Sequence, residues 1–195
     1  MKVRVRLFLA LAIVMAIAIF AGKWRRNHLE SSQDRNILNS AQKHGVDPAL
    51  IKAVIWRESK FDPEARGGKG ETGLMQIMED TGLEWAGAQR VMLFSGAVLR
   101  DPARNIECGT WYLRKLLGRY QQTDDPVPYA LADYNAGRGN VLKWMKESAS
   151  TNSADFIGQI GFPSTRAYVR AVLERQQRYA GEFRPAQEPA RLNPP

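Results

Sequence analysis

From Leu7 to Ala21 the chain is an unbroken run of apolar and small residues, bracketed by Lys2, Arg4 and Arg6 before it and Lys23, Arg25 and Arg26 after it. Nothing in the run gives a polar face, which separates it from an amphipathic core helix. Its length is at the short end for a bilayer span and suits the apolar region of an export signal. Ala16-Ile17-Ala18 has the small-x-small form of a cleavage site, but Ile19 and Phe20 follow it inside the run, which favours an uncleaved anchor. Residues 1–22 therefore read as a signal anchor or signal peptide, with membrane contact through residues 7–22. Basic residues on the short N-terminal side place the N-terminus in the cytoplasm and export the rest. Residues 23–33 are polar and read as a tether. The stretch 184–195, with Pro185, Pro189, Pro194 and Pro195, reads as a disordered tail.

Between these ends the apolar positions recur at steps of three and four. After Asp101 they are Ile106, Gly109, Leu113, Leu116 and Tyr120, with Arg104, Lys115 and Arg119 between them. From Thr165 to Tyr179 they are Tyr168, Val169, Val172, Leu173 and Gln176, with Arg166, Arg170, Glu174 and Arg175 outside. Asp47-Pro48, Asp101-Pro102 and Asp125-Pro126 each put a capping carboxylate before a proline, which marks the start of a helix. No window sustains a period of two, and the only strand-like pieces are short ones around Gly67 to Gln76. The pattern predicts a mainly α fold, one domain over residues 34–183, with one Gly-rich excursion and no internal repeat.

Composition narrows the function. With 195 residues, 44% apolar and 25% charged, the chain has material for one core and is neither fibrous nor low-complexity. The net charge of +8 suggests nucleic acid until its location is considered: six bases and no acid lie in the first 26 residues, leaving 22 bases against 20 acids. A nearly neutral body has no electrostatic reason to seek phosphate, so nucleic acid is not an expected partner. Cys108 is alone, which excludes an intrachain disulfide and a multi-thiolate metal site. His28 and His44 are isolated, and Gly67 to Gly73 lacks the Gly-Lys-Ser/Thr ending of a phosphate loop. Neither metal nor nucleotide cofactor is expected.

One polar residue is out of place. The helix begun at Pro48 carries Leu50, Ile51, Val54 and Ile55 on one face, and the next step along that face lands on Glu58. An apolar setting and the negative pole of a helix C-terminus both favour the neutral carboxyl. Glu58 is thus a candidate proton donor near neutral pH. Gly67, Gly68, Gly70 and Gly73 follow it closely, as in backbone that walls a cleft or in a flexible loop.

Glu58-Ser59, Gly73-Leu74-Met75-Gln76-Ile77-Met78 and Tyr134-Asn135-Ala136-Gly137, in that order and spacing, resemble the catalytic domain of the soluble-type lytic transglycosylases, which share the goose-type lysozyme fold. The likeness runs from about Ile37 to Tyr179. It implies cleavage of the β-1,4 bond between N-acetylmuramic acid and N-acetylglucosamine in peptidoglycan, with Glu58 as acid and then base and a 1,6-anhydro sugar as product. No second carboxylate is then needed, because the muramic acid's own C6 hydroxyl is the nucleophile. The resemblance also implies sugar contacts from Ser59, Gln76, Met78 and Asn135, with Tyr134 orienting the acid and Tyr168 lining the far side; Ser59 could equally satisfy a local carbonyl at its helix end, and Met78 and Tyr168 could equally be core packing. Peptidoglycan strands are the implied partner, and the cell envelope, on the extracytoplasmic face of the inner membrane, the implied location. The chain departs from the family pattern at Gly67, where many members have serine, at Ser164-Thr165, where glutamate usually precedes the threonine, and at Asp133, in place of alanine. Two alternatives remain: a hydrolase of the same fold with Asp62, Glu71 or Glu79 activating water, and a non-catalytic glycan-binding module.

Overall fold

The computed structural model describes residues 2–183, without the side chains of residues 2–10, 12, 25 and 26. The expectation for 184–195 lies outside the described residues. Among them the order is α1 (Lys2–Ser31), α2 (Asp34–His44), α3 (Pro48–Ser59), α4 (Glu79–Ala88), α5 (Pro102–Arg119), α6 (Pro126–Ala136), α7 (Arg138–Trp144), α8 (Ser153–Gln159) and α9 (Pro163–Tyr179), with short 3-10 turns at Gly96–Arg100 and Glu147–Ser150. The strand-like stretch is reduced to isolated bridges, Arg66 with Thr72 and Thr72 with Ile77.

All three Asp-Pro signals are helix starts. Asp47 accepts from the Ala49 amide, Asp101 from Arg104 and Asp125 from Val127, each at 2.9 Å, and proline occupies the first turn. The stripe on α5 is buried from Ile106 through Gly109 and Leu113 to Leu116, and Tyr120 caps the helix inside the core. On α9, Tyr168, Val169 and Val172 are buried as the periodicity predicts.

The sequence reading of α3 needs correction. Its apolar residues do not form a stripe: every residue from Ala49 to Ile55 is buried, because α2 and α9 enclose the helix on more than one side. Beyond Ile55 the last turn, Trp56 to Ser59, emerges half-buried. Lys52 is therefore inside, 2% exposed, with its ammonium 2.7 Å from both Asp34 and Glu182 and over the rings of Tyr179 and Phe183. Lys52→Ala should lower stability by about 2 kcal/mol in urea unfolding, since both carboxylates lose their partner and the stem leaves a void. Lys52→Met, which keeps the stem, should cost less than half as much.

The tether is also corrected. Residues 23–31 continue α1 as helix, and its last turn docks on the domain. Leu29 packs against the core, and Glu30 accepts from the Tyr179 hydroxyl at 3.0 Å and pairs with Arg175 at 3.9 Å. Upstream, the described side chains from Leu11 to Phe20 are all exposed. Among the described residues, no helix is long and apolar enough to cross a membrane.

Candidate active site

The last turn of α3, the Gly-rich loop and the end of α6 meet around a cleft of about 340 Å³ lined by Glu58, Gln76, Met78, Tyr134 and Asn135, with Gly67 to Lys69 and Glu71 on one wall. The loop owes its shape to three anchors. Thr72 and Ile77 exchange backbone hydrogen bonds at 3.0 Å, closing a tight hairpin, and the Gly73 amide donates to Ala65 at 2.9 Å. From α5, Asn105, only 1% exposed, accepts from the Met75 amide and donates to the carbonyls of Thr72 and Leu99, all at 2.8 Å. From α6, the Tyr134 hydroxyl donates to the Met75 carbonyl at 2.7 Å. Leu74 and Met75 then face the core, where Gly109 lets Met75 come so close that a Cβ at 109 would lie 2.8 Å from that of Met75. Gly73 is required twice over: its φ is +77°, and a Cβ there would meet the Leu99 carbonyl at 2.8 Å.

Glu58 sits where α3 leaves the core. The Tyr168 hydroxyl, on a side chain 1% exposed, donates to Glu58 Oε1 at 2.6 Å, which leaves Oε2 to the cleft. Burial pushes the Glu58 carboxyl above the ordinary carboxylate value; the Tyr168 hydrogen bond and the Arg57 charge pull the other way, and Glu71 adds to the rise. The direction agrees with the sequence argument, and the chief cause is desolvation. Tyr134 and Tyr168 are themselves held neutral by burial and by the nearby carboxylate, so both remain donors.

The remaining polar groups are half used. Gln76 spends its Nε2 on the carbonyls of Ala65 and Gly73, at 3.1 and 2.8 Å, and keeps Oε1 as an acceptor. Asn135 accepts from Thr165 Oγ1 at 2.8 Å and keeps its Nδ2 donors. Met78, at the start of α4, is partly exposed on the cleft rim. The site thus offers one protonatable oxygen, an acceptor, a donor and an apolar edge, which is what a sugar with hydroxyl and acetamide groups needs.

Ser59 takes the second of its two readings, and Tyr134 and Tyr168 stand in other roles than the resemblance implied. Ser59 turns back on its helix, donating to the Ile55 carbonyl at 3.2 Å, and is not among the residues lining the cleft. Tyr168 lies behind the carboxylate and not on the far wall, and it is the residue that holds the acid, whereas the Tyr134 hydroxyl holds the loop. Of the acids considered as a base, only Glu71 lines this cleft, its carboxylate bonded to the Lys69 amide at 2.9 Å. A Cβ at Gly67 would collide with that carboxylate, so the glycine makes room for it. Asp133, 2% exposed, accepts from Arg119 at 3.0 Å and Tyr120 at 2.7 Å and so clamps α6 to α5 beneath Tyr134. Sequence reasoning missed Asn105. Its signal was present: a polar residue four positions before Gly109 on an otherwise apolar stripe.

Tyr168→Phe removes a donor that favours the ionised carboxylate, so the Glu58 pKa should rise further. The alkaline limb of activity should move to higher pH while the maximal rate falls through poorer orientation of the acid. A pH profile of activity reads both.

Known proteins fit this geometry. Residues 35–157 match the Transglycosylase SLT domain family. The soluble lytic murein transglycosylase of Escherichia coli is 35% identical over 130 residues, 66% of this chain and 20% of that protein. Membrane-bound lytic murein transglycosylase C of Yersinia enterocolitica is 34% identical over 131 residues, 60% of this chain and 35% of that protein. The chain thus spans about a fifth to a third of these relatives. Among solved structures, an inactive Glu-to-Gln mutant of lytic transglycosylase Slt from Pseudomonas aeruginosa superposes with a TM-score of 0.70 at 32% identity, covering 76% of this chain and 24% of that one. The 70-kDa soluble lytic transglycosylase in complex with bulgecin A gives 0.71 at 29% identity, covering 89% and 29%. The helical fold, the cleft and these matches agree: the chain belongs to the transglycosylase SLT domain family.

Proposed function

We propose that the chain is a peptidoglycan lytic transglycosylase in which Glu58 alone serves as acid and base. The observation that carries the reading is a single desolvated carboxyl with one oxygen held by Tyr168 and the other open to a polar cleft. Glu58 gives its proton to the oxygen joining muramic acid to glucosamine, and the C1–O bond breaks as positive charge builds at C1. The deprotonated Glu58 then takes the proton of the muramic acid's C6 hydroxyl as that oxygen bonds to C1. The carboxyl is restored and no water is consumed. Gln76 and Asn135 hold hydroxyl or acetamide groups of the flanking sugars, and Met78 packs against a sugar face.

A hydrolase reading has one observation in its favour, the presence of Glu71 on the same cleft wall. Product mass decides. Cleavage of purified cell wall should release fragments one water lighter than reducing-end fragments. Reducing ends, lost on Glu71→Gln, would establish the hydrolase instead.

The apolar segment 7–22 is proposed as the anchor that holds the domain at the extracytoplasmic membrane face. Support comes from described apolar side chains exposed on every side of α1, with basic residues at both ends of the run. The full chain should float with lipid vesicles, and a chain beginning at Ser32 should not.

A further inference from the structure

The turn that follows the acid is strained. Lys60 and Phe61 have φ of +54° and +65°, a region that side chains other than glycine rarely adopt. Two such residues in succession persist only where the surroundings hold them. Phe61 is held from within, 1% exposed in the core. Lys60 is held from without: its ammonium lies 3.2 Å from the centroid of the Trp56 ring. Trp56 is in turn covered by Arg175 of α9, whose guanidinium carbon stands 4.1 Å from the same centroid and 5.3 Å from that of the Tyr179 ring. Trp56 precedes Glu58 by two residues and Lys60 follows it by two, so this stack grips both flanks of the turn that carries the acid.

Arg175 is held by α1. Glu30, in the last turn of that helix, sets Oε1 3.9 Å from the Arg175 guanidinium and takes the Tyr179 hydroxyl on Oε2 at 3.0 Å. Both members of the pair are 19% exposed, so solvent and salt screen it only in part. On α9, Tyr168, Arg175 and Tyr179 follow one another by steps of seven and four and share the face turned to α3. One helix face thus holds the acid at one end, through Tyr168, and α1 at the other, through Arg175 and Tyr179.

We propose that the docked end of α1 is a switch on the acid: Glu30 keeps Arg175 on Trp56, the stack keeps the strained turn closed, and release of α1 lets the turn relax and draws Glu58 away from Tyr168. Glu30 and Arg175 are positioning residues, and neither lines the Glu58 cleft. The inference rests on the transglycosylase reading only for what Glu58 does. Because α1 is one helix from the apolar segment to Glu30, a pull on that segment is felt at the acid. The domain then cleaves fastest while α1 is seated.

Glu30→Lys in the full chain sets a like charge against Arg175 and should unseat α1. For cell-wall cleavage, kcat should fall about ten-fold with KM unchanged, since a small misplacement of the acid costs rate and not binding. Burial is the chief cause of the raised Glu58 pKa, so a turn opened to water lowers it and the alkaline limb of activity should move to lower pH. The other charged or titratable groups about Glu58 are Arg57 and Lys60 on α3, Tyr168 on α9, Glu71 on the Gly-rich loop and Tyr134 on α6, and all are kept. Glu174→Lys is the charge control: the same change beside Arg175, on a side chain 64% exposed, should move neither kcat nor the limb. Leu29→Ala loosens the docking contact without a charge and should act in the direction of Glu30→Lys, more weakly. Glu30→Gln, whose amide oxygen still accepts from Tyr179, should recover part of the rate. Equal effects of Glu30→Lys and Glu174→Lys, or wild-type kcat and pH profile in both Glu30→Lys and Leu29→Ala, would overturn the proposal. Carboxyl-carbon NMR titration of Glu58, assigned through Glu58→Gln, reads the coupling without turnover. A lowered Glu58 pKa in Glu30→Lys, with no wall cleavage by any chain, leaves the switch standing and removes the transglycosylase reading. Cleavage by every chain with an unchanged Glu58 titration removes the switch alone.

Discussion

Replacing Glu58 by glutamine should lower glycan cleavage by about 10³-fold, since general acid–base catalysis by one positioned group is worth roughly 10² to 10⁴ and the proposed mechanism gives both proton transfers to this one carboxyl. Glutamine keeps the shape, and its carbonyl oxygen can still accept from Tyr168. The same change should not weaken the fold. The native pKa of Glu58 lies above the ordinary value, so the folded chain binds that proton more tightly than the unfolded chain does. The resulting stability is present below the unfolded pKa and is lost as pH rises through the native one. Above that point an ionised, desolvated carboxylate works against folding, and glutamine avoids this cost. Urea unfolding at pH 4 and pH 8 should show the variant gaining on the wild type at the higher pH. Turnover preserved in the variant would remove Glu58 from the mechanism.

Asn105→Leu should cost about 3 kcal/mol or more and loosen the loop that shapes the cleft. One side chain satisfies three buried backbone groups, the Met75 amide and the carbonyls of Thr72 and Leu99. A leucine of similar size leaves all three without partners, at roughly 1–3 kcal/mol each before relaxation. Gly73→Ala attacks the same place from the other side, through its positive φ and its collision with Leu99 and the Asn105 amide. Because both changes break one arrangement, the double variant should lose less than the sum of the single losses. Denaturation of the two single variants and the double reads this. A fully additive result would mean that Asn105 and the glycine act separately.

Much of the frame was legible because it is local. An Asp-Pro pair caps a helix whatever packs on it, and the stripes on α5 and α9 record which face is buried. Glu58 was singled out by a stripe that α3 does not have, since Ala49 to Ile55 are buried all round; what held was that a carboxylate in the turn next to an apolar run is an inconsistency that only a tertiary neighbour resolves. The neighbour itself was not legible: Tyr168 lies 110 residues away, and nothing in the spacing says that it, and not Tyr134, holds the acid. The burial of Lys52 was not legible either. Lysine normally marks a solvated face, and its partners lie 18 and 130 residues distant. The docking of α1 was missed because a run of polar residues after an apolar one looks like linker until Glu30 meets Tyr179 and Arg175.

The clamp on Lys52 sets how far the chain can be trimmed. A protease or an engineered stop that removed Glu182 and Phe183 would take away one of its two counterions and one of its two aromatic covers, although neither residue lines the Glu58 cleft. The ammonium would then remain inside α3 with Asp34 and Tyr179 alone, and the penalty would fall on the helix that carries the acid. Fusion partners and shortened forms should therefore keep every residue through Phe183.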